Sequence, residues 1–266
     1  MNIRPETVLR AITVSLKRAG AELPAAFTAK LERIERVAAS NAAFEHGNEQ
    51  RLTTAVAEAL IAGKDPAADS AVVEALAHQQ LCSAMNWDSA LTGWRDGEKA
   101  RLLREAAPVL LGEWGGRVGT AGKKLGAAAC HLNLKTSLAA QSQDVLRAGT
   151  ASAEWHTAYS AAEVIDHLVA AQSELIAFCE SRSHADAALL ACPEMTAHEY
   201  ANLPDAPGRP GVRLSDAWTL TCQGHTITGS DYDTYKAARI RNDDETAAAR
   251  KAEAARAERA RVTSAW

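Results

Sequence analysis

A glycine-rich stretch of this chain concentrates positive charge without any acidic residue. Residues 114–143 contain four basic side chains: Arg117, Lys123, Lys124 and Lys135. Because lysines, arginines and backbone amides bind phosphate oxygens, the stretch is a candidate for contact with an anion or a nucleic acid. It is not a Walker loop, since Lys124 follows the Gly122-Lys123 pair and Arg117 stands where the first glycine belongs. The sequence therefore excludes a nucleotide hydrolase of that class.

Imidazole and carboxylate side chains recur at helical spacing further along the chain, at His156, Glu163, His167 and Glu174. Such groups on one helix face could hold a metal ion. Ser160 with Glu163 forms a capping-box pattern, which predicts a helix that begins near residue 160 and leaves His156 outside it. The remaining metal candidates are Glu163 and His167.

The stretch 159–172, YSAAEVIDHLVAAQ, resembles the start of the helix that carries the first metal-binding histidine in DinB-like thiol transferases. The resemblance covers about 14 residues and implies that His167 is the ligand. The His-x-x-x-His pair that those families carry on a later helix is absent from this sequence.

The sequence gives little indication of a site that uses cysteine chemistry. The five cysteines are odd in number, widely spaced and include no CxxC pair, which favours reduced thiols in a cytoplasm over disulfides or a cysteine zinc site. Cys222 and His225 would face each other across a predicted hairpin turn, as a nucleophile pair or half a zinc site. No third group completes either arrangement, so we predict no catalytic residues and no cofactor.

Two sets of side chains suit interaction with a macromolecule. Three tryptophans surround the predicted fifth helix and are either core anchors or a binding surface: Trp87, Trp94 and Trp114. Five basic residues lie near the C-terminus, where they could contact a partner or nucleic acid: Arg250, Lys251, Arg256, Arg259 and Arg261.

The elements that must position these residues are mainly helices. Alanine, the best helix former, supplies 58 of the 266 residues. Apolar residues recur every three or four positions, as at Leu9, Ile12 and Leu16, and predict successive helices joined by short connections. We therefore predict a helical bundle over residues 1–192, with the glycine-rich segment 112–126 as an irregular connection.

A different pattern follows the proline-rich segment 193–212, which we predict to be a linker. Trp218, Leu220 and Cys222 alternate with threonines ahead of Gln223-Gly224, which predicts a C-terminal β-hairpin within residues 213–266. A long terminal α-helix should follow it. Beyond Ile240 its large apolar residues are only Val262 and Trp266, so this arm should be exposed or held by a partner.

Charge is distributed unevenly in a chain whose net charge is −4. Residues 114–143 carry a local net of +4, whereas nine acids and one base give residues 152–206 a net of −8. These segments are either complementary surfaces or ordinary solvated faces. No stretch of the sequence is apolar enough to predict a membrane span or a signal-peptide core.

These patterns predict a mainly α, non-enzymatic structural, assembly or interaction protein that forms a homo-oligomer or docks on a protein partner. The alanine-rich helices with a hairpin and an arm are similar in style to components of phage particles, which implies a virion location; otherwise the location is cytoplasmic. The first alternative is a nucleic-acid-associated protein that uses residues 117–135 or 250–261. The second is a metal-dependent helical enzyme centred on His167.

Overall fold

The computed structural model describes residues 4–45, 48–84, 87–142, 152–182, 185–206, 209–213 and 215–264. These residues form two compact units, and the predicted mainly α class is confirmed. The minor unit contains residues 4–6 and 23–104, and the major unit contains residues 7–22 and 105 onward. The proline-rich segment 193–212 belongs to the major unit.

The minor unit is built from helices that carry small side chains. Its helices are α2 (Ala25–Glu45), α3 (Asn48–Ile61), α4 (Ser70–Ala84) and the first part of α5 (Trp87–Ala129). Helices α3 and α4 pack against each other, and Ala59, Val72 and Ala75 are buried. The Lys99 side chain is almost completely buried and forms ion pairs with Glu6 and Glu35.

The major unit combines long helices with short ones. Its elements are most of α1 (Pro5–Arg18), the second part of α5, α6 (Ser152–Cys179), α7 (Ala187–Ala191), α8 (Ala197–Ala201), β1 (Asp205–Ala206), β2 (Arg209–Arg213), α9 (Ala217–Cys222) and α10 (Tyr232–Ser264). Strands β1 and β2 are antiparallel, with Asp205 opposite Arg213. Apolar side chains of α5 and α6 form much of the core: Leu111, Trp114, Val118, Leu125, Ile165, Leu168, Leu175 and Ile176.

The glycine-rich segment 112–126 is not an irregular connection, and that prediction is wrong. It forms the second half of α5. Gly115, Gly119 and Gly122 are four and three residues apart and therefore lie on one face of this helix. A Cβ atom on Gly115, Gly119 or Gly122 would overlap the carbonyl oxygen of Ser230, Thr228 or Ile227, respectively. Because a glycine has no side chain, the backbone of residues 227–230 lies directly against the helix.

The buried amide of Gln172 on α6 holds residues 227–230 in place. Its Nε2 donates to the carbonyl oxygens of Ser230 and Leu111, at 3.0 and 3.3 Å. The backbone N–H groups of Thr228 and Gly229 donate to the carbonyl of Ala191, and the Ser230 hydroxyl donates to that of Leu189. These bonds satisfy backbone groups that would otherwise be costly to bury.

The predicted C-terminal β-hairpin is wrong. Residues 217–222 form helix α9, and no strand occurs over residues 217–230. Asp216 caps this helix by accepting hydrogen bonds from the backbone N–H and the hydroxyl of Thr219. Gly224 ends it with a positive φ of 86°, which glycine adopts readily. The alternation of threonines with apolar residues therefore reflects a short capped helix rather than a strand.

Candidate functional site

The major unit contains a pocket of about 570 Å³ between α5 and α6. Helix α5 contributes Arg117, Thr120, Ala121 and Lys124 to its wall. The other wall comes from α6 and from the residue after α1: His156, Thr157, Ser160, Ala161, Val164, Leu168 and Ala19. Cationic and hydroxyl groups thus line a cavity that also has an apolar surface.

Helical spacing explains which of the four predicted anion-binding residues come together. Arg117 and Lys124 are seven residues apart, two turns of α5, so they lie on the same face about 10 Å apart along the helix axis. Lys123 is rotated by about 100° from Lys124 and does not line the pocket. Lys135 follows the helix and is also absent from the pocket wall.

His156 reaches the pocket because α6 begins earlier than the sequence predicts. The helix starts at Ser152 rather than near Ser160, so the capping-box prediction is wrong. The His156 ring makes an edge contact with Trp155, with 5.0 Å between the ring centroids. Trp155 is itself anchored, since its Nε1 donates to the carbonyl of Leu138 at 2.8 Å. This contact helps to orient the imidazole.

The charged side chains that line the pocket, Arg117 and Lys124, are both positive. None of its lining residues is acidic. Arg117 and Lys124 are exposed, and neither forms an ion pair with any residue that the structure describes. The Thr120 and Thr157 hydroxyls donate to backbone carbonyls of their own helices, which leaves their oxygen lone pairs available as acceptors.

Four of the nine acids of the segment 152–206 have structural partners in the major unit. Asp186 and Glu199 accept hydrogen bonds at the starts of α7 and α8. Glu180 forms ion pairs with Arg182 and Arg239, and Asp205 pairs with Arg213. Each of these four acids takes part in a helix cap or an ion pair within the major unit.

Asp166 is the acid with the most altered environment. Burial raises the pKa of its carboxyl group to about 7, and the charges of Asp216 and Glu163 act in the same direction. A hydrogen bond from the backbone N–H of Ala217, 2.7 Å long, opposes the rise in pKa. The carboxyl group joins α6 to the start of α9, which gives it a structural role in this unit.

The predicted metal pair lies one turn apart on α6. Glu163 accepts a hydrogen bond from Tyr159 and thereby raises the pKa of the Tyr159 hydroxyl. Among the residues described, no group of three histidine, cysteine or carboxylate side chains has an arrangement that could hold a metal ion. Glu163 and His167 therefore gain no third ligand from this part of the chain.

Cys222 and His225 lie on either side of the turn at Gly224 that ends α9, rather than across a hairpin. Burial, followed by the charge of Asp216, raises the pKa of the Cys222 thiol. A raised pKa keeps the sulfur protonated, whereas a nucleophilic cysteine needs a lowered one. The arrangement does not activate Cys222.

The three tryptophans do not form one exposed surface. Trp114 is fully buried in the core of the major unit, as a core anchor would be. Trp94 belongs to the minor unit and is 40% exposed. Trp87 lies in α5, and its side chain is outside the part of the structure that is described.

Helix α10 has an anchored first half. Tyr235 and Ala238 are buried, and the Tyr235 hydroxyl accepts a hydrogen bond from the backbone N–H of Asp186. The amide of Asn242 donates to the carbonyl of Met195 at 3.0 Å. One turn later, the Glu245 carboxylate accepts a 2.8 Å bond from the backbone N–H of Ala197. These contacts fix the helix to the major unit as far as residue 245.

The second half of α10, residues 247–264, is here called the arm. Residues 247–257 and 259–261 are all exposed. All five predicted basic residues lie on it, together with Glu253 and Glu258, so its net charge is +3. At 1.5 Å per residue the arm is about 27 Å long.

Comparison with known proteins identifies no relative. No protein-family model matches the chain, and no curated protein or solved structure shows significant similarity to it. Within the described ranges, no helix combines the length and apolar character needed to cross a bilayer.

Proposed function

We propose that this protein is a non-enzymatic assembly protein in which the arm of one copy docks on another copy of the same chain. The observation that carries the proposal is the contrast within α10: hydrogen bonds fix the helix up to Glu245, and residues 247–257 beyond it are exposed. A helix that is polar on every side gains no stability from burial, and short isolated helices are marginal in water. A partner would supply the missing contacts.

Charge favours a second copy as that partner. The arm carries +3, whereas the rest of the chain carries the −7 that brings the total to −4. Opposite net charges attract one copy's arm to another copy's body and speed their encounter. Exposed pairs are weak individually, so the association requires several arm residues acting together.

Two other functions receive less support. Nucleic-acid binding would use the same basic residues, but the arm has no aromatic residue among them on which a base could stack. The acidic residues Asp243, Asp244 and Glu245 lie shortly before the arm. A metal-dependent enzyme would need more ligands than Glu163 and His167, and the described residues add none. We therefore favour assembly.

Light scattering with mass determination tests the proposal on the full chain and on a version that ends at Thr246. This end point keeps the Asn242 and Glu245 contacts intact. We expect a stoichiometric oligomer of the full chain at about 50 mM salt, dissociation at about 500 mM, and a monomer of the shortened chain at both. A full chain that is monomeric at low salt would overturn the proposal.

A matched pair of variants separates the arm from general charge. Arg250→Gln, Lys251→Gln and Arg256→Gln together should abolish the oligomer, because all three side chains are exposed on the arm. The control removes three exposed positive charges from α2 of the minor unit: Lys30→Gln, Arg33→Gln and Arg36→Gln. The control should remain oligomeric, and equal dissociation of both variants would contradict the role of the arm.

A gel-shift assay with duplex DNA separates assembly from nucleic-acid binding. We expect no shift that depends on the arm at about 150 mM salt, since non-specific binding weakens steeply with salt. The opposite result is a full chain that is monomeric and shifts the DNA, with no shift by the arm variant. Nucleic-acid binding would then replace assembly as the proposed function.

A further inference from the structure

We propose that the pocket between α5 and α6 is a binding site for a small organic molecule that carries a phosphate group. The inference is independent of the arm, because the pocket is lined entirely by other parts of the major unit. It is carried by two cationic side chains on one helix face, a facing row of hydroxyl and imidazole groups, and an apolar surface in the same cavity.

The two cations of the pocket have no carboxylate partner among the described residues. Arg213 and Arg239 of the major unit, and Lys99 of the minor unit, are all paired with carboxylates. Arg117 and Lys124 line the pocket and form no ion pair with the residues described. Two positive charges on one wall of a cavity without acidic lining residues raise the local potential for an anion.

The chemistry of these two residues favours phosphate. A guanidinium presents a planar set of donors that matches phosphate oxygens, and an ammonium acts as a compact positive charge. Ser160 on the opposite wall offers a hydroxyl donor, and His156 offers an imidazole nitrogen. A phosphate monoester, with up to two negative charges and three free oxygens, can use both walls at once.

The volume of the pocket and its apolar lining residues indicate an organic ligand rather than a bare ion. Its volume of about 570 Å³ falls within the range of small-molecule sites. Ala121, Ala161, Val164 and Leu168 provide an apolar surface beside the charged groups. A planar or aliphatic part of the ligand would cover this surface and gain from its removal from water.

Titration calorimetry with phenyl phosphate, inorganic phosphate and phenol tests both parts of the site. We expect saturable binding of phenyl phosphate that is stronger than binding of inorganic phosphate, and no measurable binding of phenol. Inorganic phosphate that binds as tightly as phenyl phosphate would overturn the assignment of an organic ligand. Absence of saturable phenyl phosphate binding would overturn the site.

Residues of the same basic segment provide the matched control. Arg117→Gln with Lys124→Gln should weaken phenyl phosphate binding by about tenfold or more, since each charge-assisted bond contributes strongly. Lys123→Gln with Lys135→Gln removes the same charge outside the pocket and should change binding less than about twofold. Equal weakening in both variants would mean a diffuse basic surface and would overturn the proposal.

A second variant leaves the cations in place. Ser160→Asp adds a carboxylate to the exposed wall of the pocket and should abolish phenyl phosphate binding by repulsion. Ala170→Asp places the same charge on an exposed position of α6 outside the pocket and should leave binding unchanged. Binding that survives Ser160→Asp, in a protein with an unchanged circular dichroism spectrum, would contradict the site.

Discussion

The second half of α5 and the arm of α10 are both helical and both rich in small residues, but they differ in what lies against them. Gly115, Gly119 and Gly122 let the backbone of residues 227–230 approach α5 directly. The alanines of the arm have no such neighbour among the described residues, and residues 247–257 stay exposed. Small residues therefore permit close packing, but a second segment must be present to use it.

The same comparison shows how buried backbone is stabilised. Close approach to α5 removes water from the carbonyl and N–H groups of residues 227–230. Gln172, Ala191 and Leu189 replace that water with hydrogen bonds. The arm needs no replacement, because its polar groups remain in water or within the helix. We therefore expect substitutions to be costly in one helix and almost free in the other.

Gly119→Ala should have the largest effect. The added methyl group would overlap the Thr228 carbonyl, which is backbone and cannot move aside cheaply. We expect a loss of about 3 kcal/mol in the free energy of unfolding, measured by urea denaturation. The control is Gly126→Ala on the same helix, where nothing lies within 4 Å of the new atom. It should stabilise the protein by up to about 1 kcal/mol, and similar losses in both variants would contradict the close contact.

Two aspartates extend the comparison between packed and exposed helices, because Asp166 of α6 is half-buried, whereas Asp243 of α10 is exposed. The pKa of Asp166 is about 7 in the folded protein and 3.8 in its ordinary state, so the folded form binds the proton more tightly. The free energy of unfolding should therefore fall as the pH rises, by about 2 kcal/mol between about pH 5 and pH 7.5.

Asp166→Asn should remove this pH-dependent loss, since the amide oxygen can still accept the bond from Ala217 and carries no charge. Urea denaturation of both proteins across the pH range measures the difference. Asp243→Asn serves as the control and should retain the pH dependence of the original chain. A parallel pH profile in the Asp166→Asn variant would show that another group causes the change.

The smallest effect is expected in the arm. Ala254→Gly lies on an exposed position and should change the free energy of global unfolding by less than about 0.5 kcal/mol. Ala128→Gly removes a buried methyl group from α5 and should cost about 1–2 kcal/mol. Hydrogen exchange should show faster local opening of the arm in Ala254→Gly. A global loss equal to that of Ala128→Gly would mean that the arm is packed.

Large apolar side chains made some helices predictable. Leu9, Ile12 and Leu16 are buried on one face of α1, as their spacing predicts. In α3, by contrast, Leu60 is 61% exposed, while the neighbouring Ala59 is buried. In alanine-rich helices the apolar face is only weakly marked by size, because an alanine fits on either side of the helix.

The errors near the C-terminus have a similar physical cause. Six residues, 217–222, are too few to distinguish a period of 2.0 from one of 3.6 by their apolar positions alone. The informative signals were the capping residue Asp216 and Gly224 after the helix, which together delimit it. Glycines 115, 119 and 122 gave no such signal, since their role depends on a segment more than 100 residues later in the chain.

Half of the pocket was accessible from the sequence. The absence of acids from residues 114–143 marked Arg117 and Lys124 as anion-binding candidates. Their position on one helix face was not predicted, because residues 112–126 were expected to be an irregular connection. The contribution of α6 was not predictable, because Ser160 and Glu163 mimic a capping box and suggest that His156 precedes the helix. The pairing of α5 with α6 is tertiary structure that no local pattern encodes.

The enclosed amine of Lys99 gives the minor unit a chemical reporter. Desolvation alone would lower the pKa of its ammonium group, but the carboxylates of Glu35 and Glu6 overcome that effect and raise the pKa. An amine held protonated and shielded from solvent reacts poorly with acylating reagents, which require a free lone pair. Lys99 should therefore be among the slowest lysines to be acylated in the native chain, and its sudden labelling would signal that the minor unit has opened.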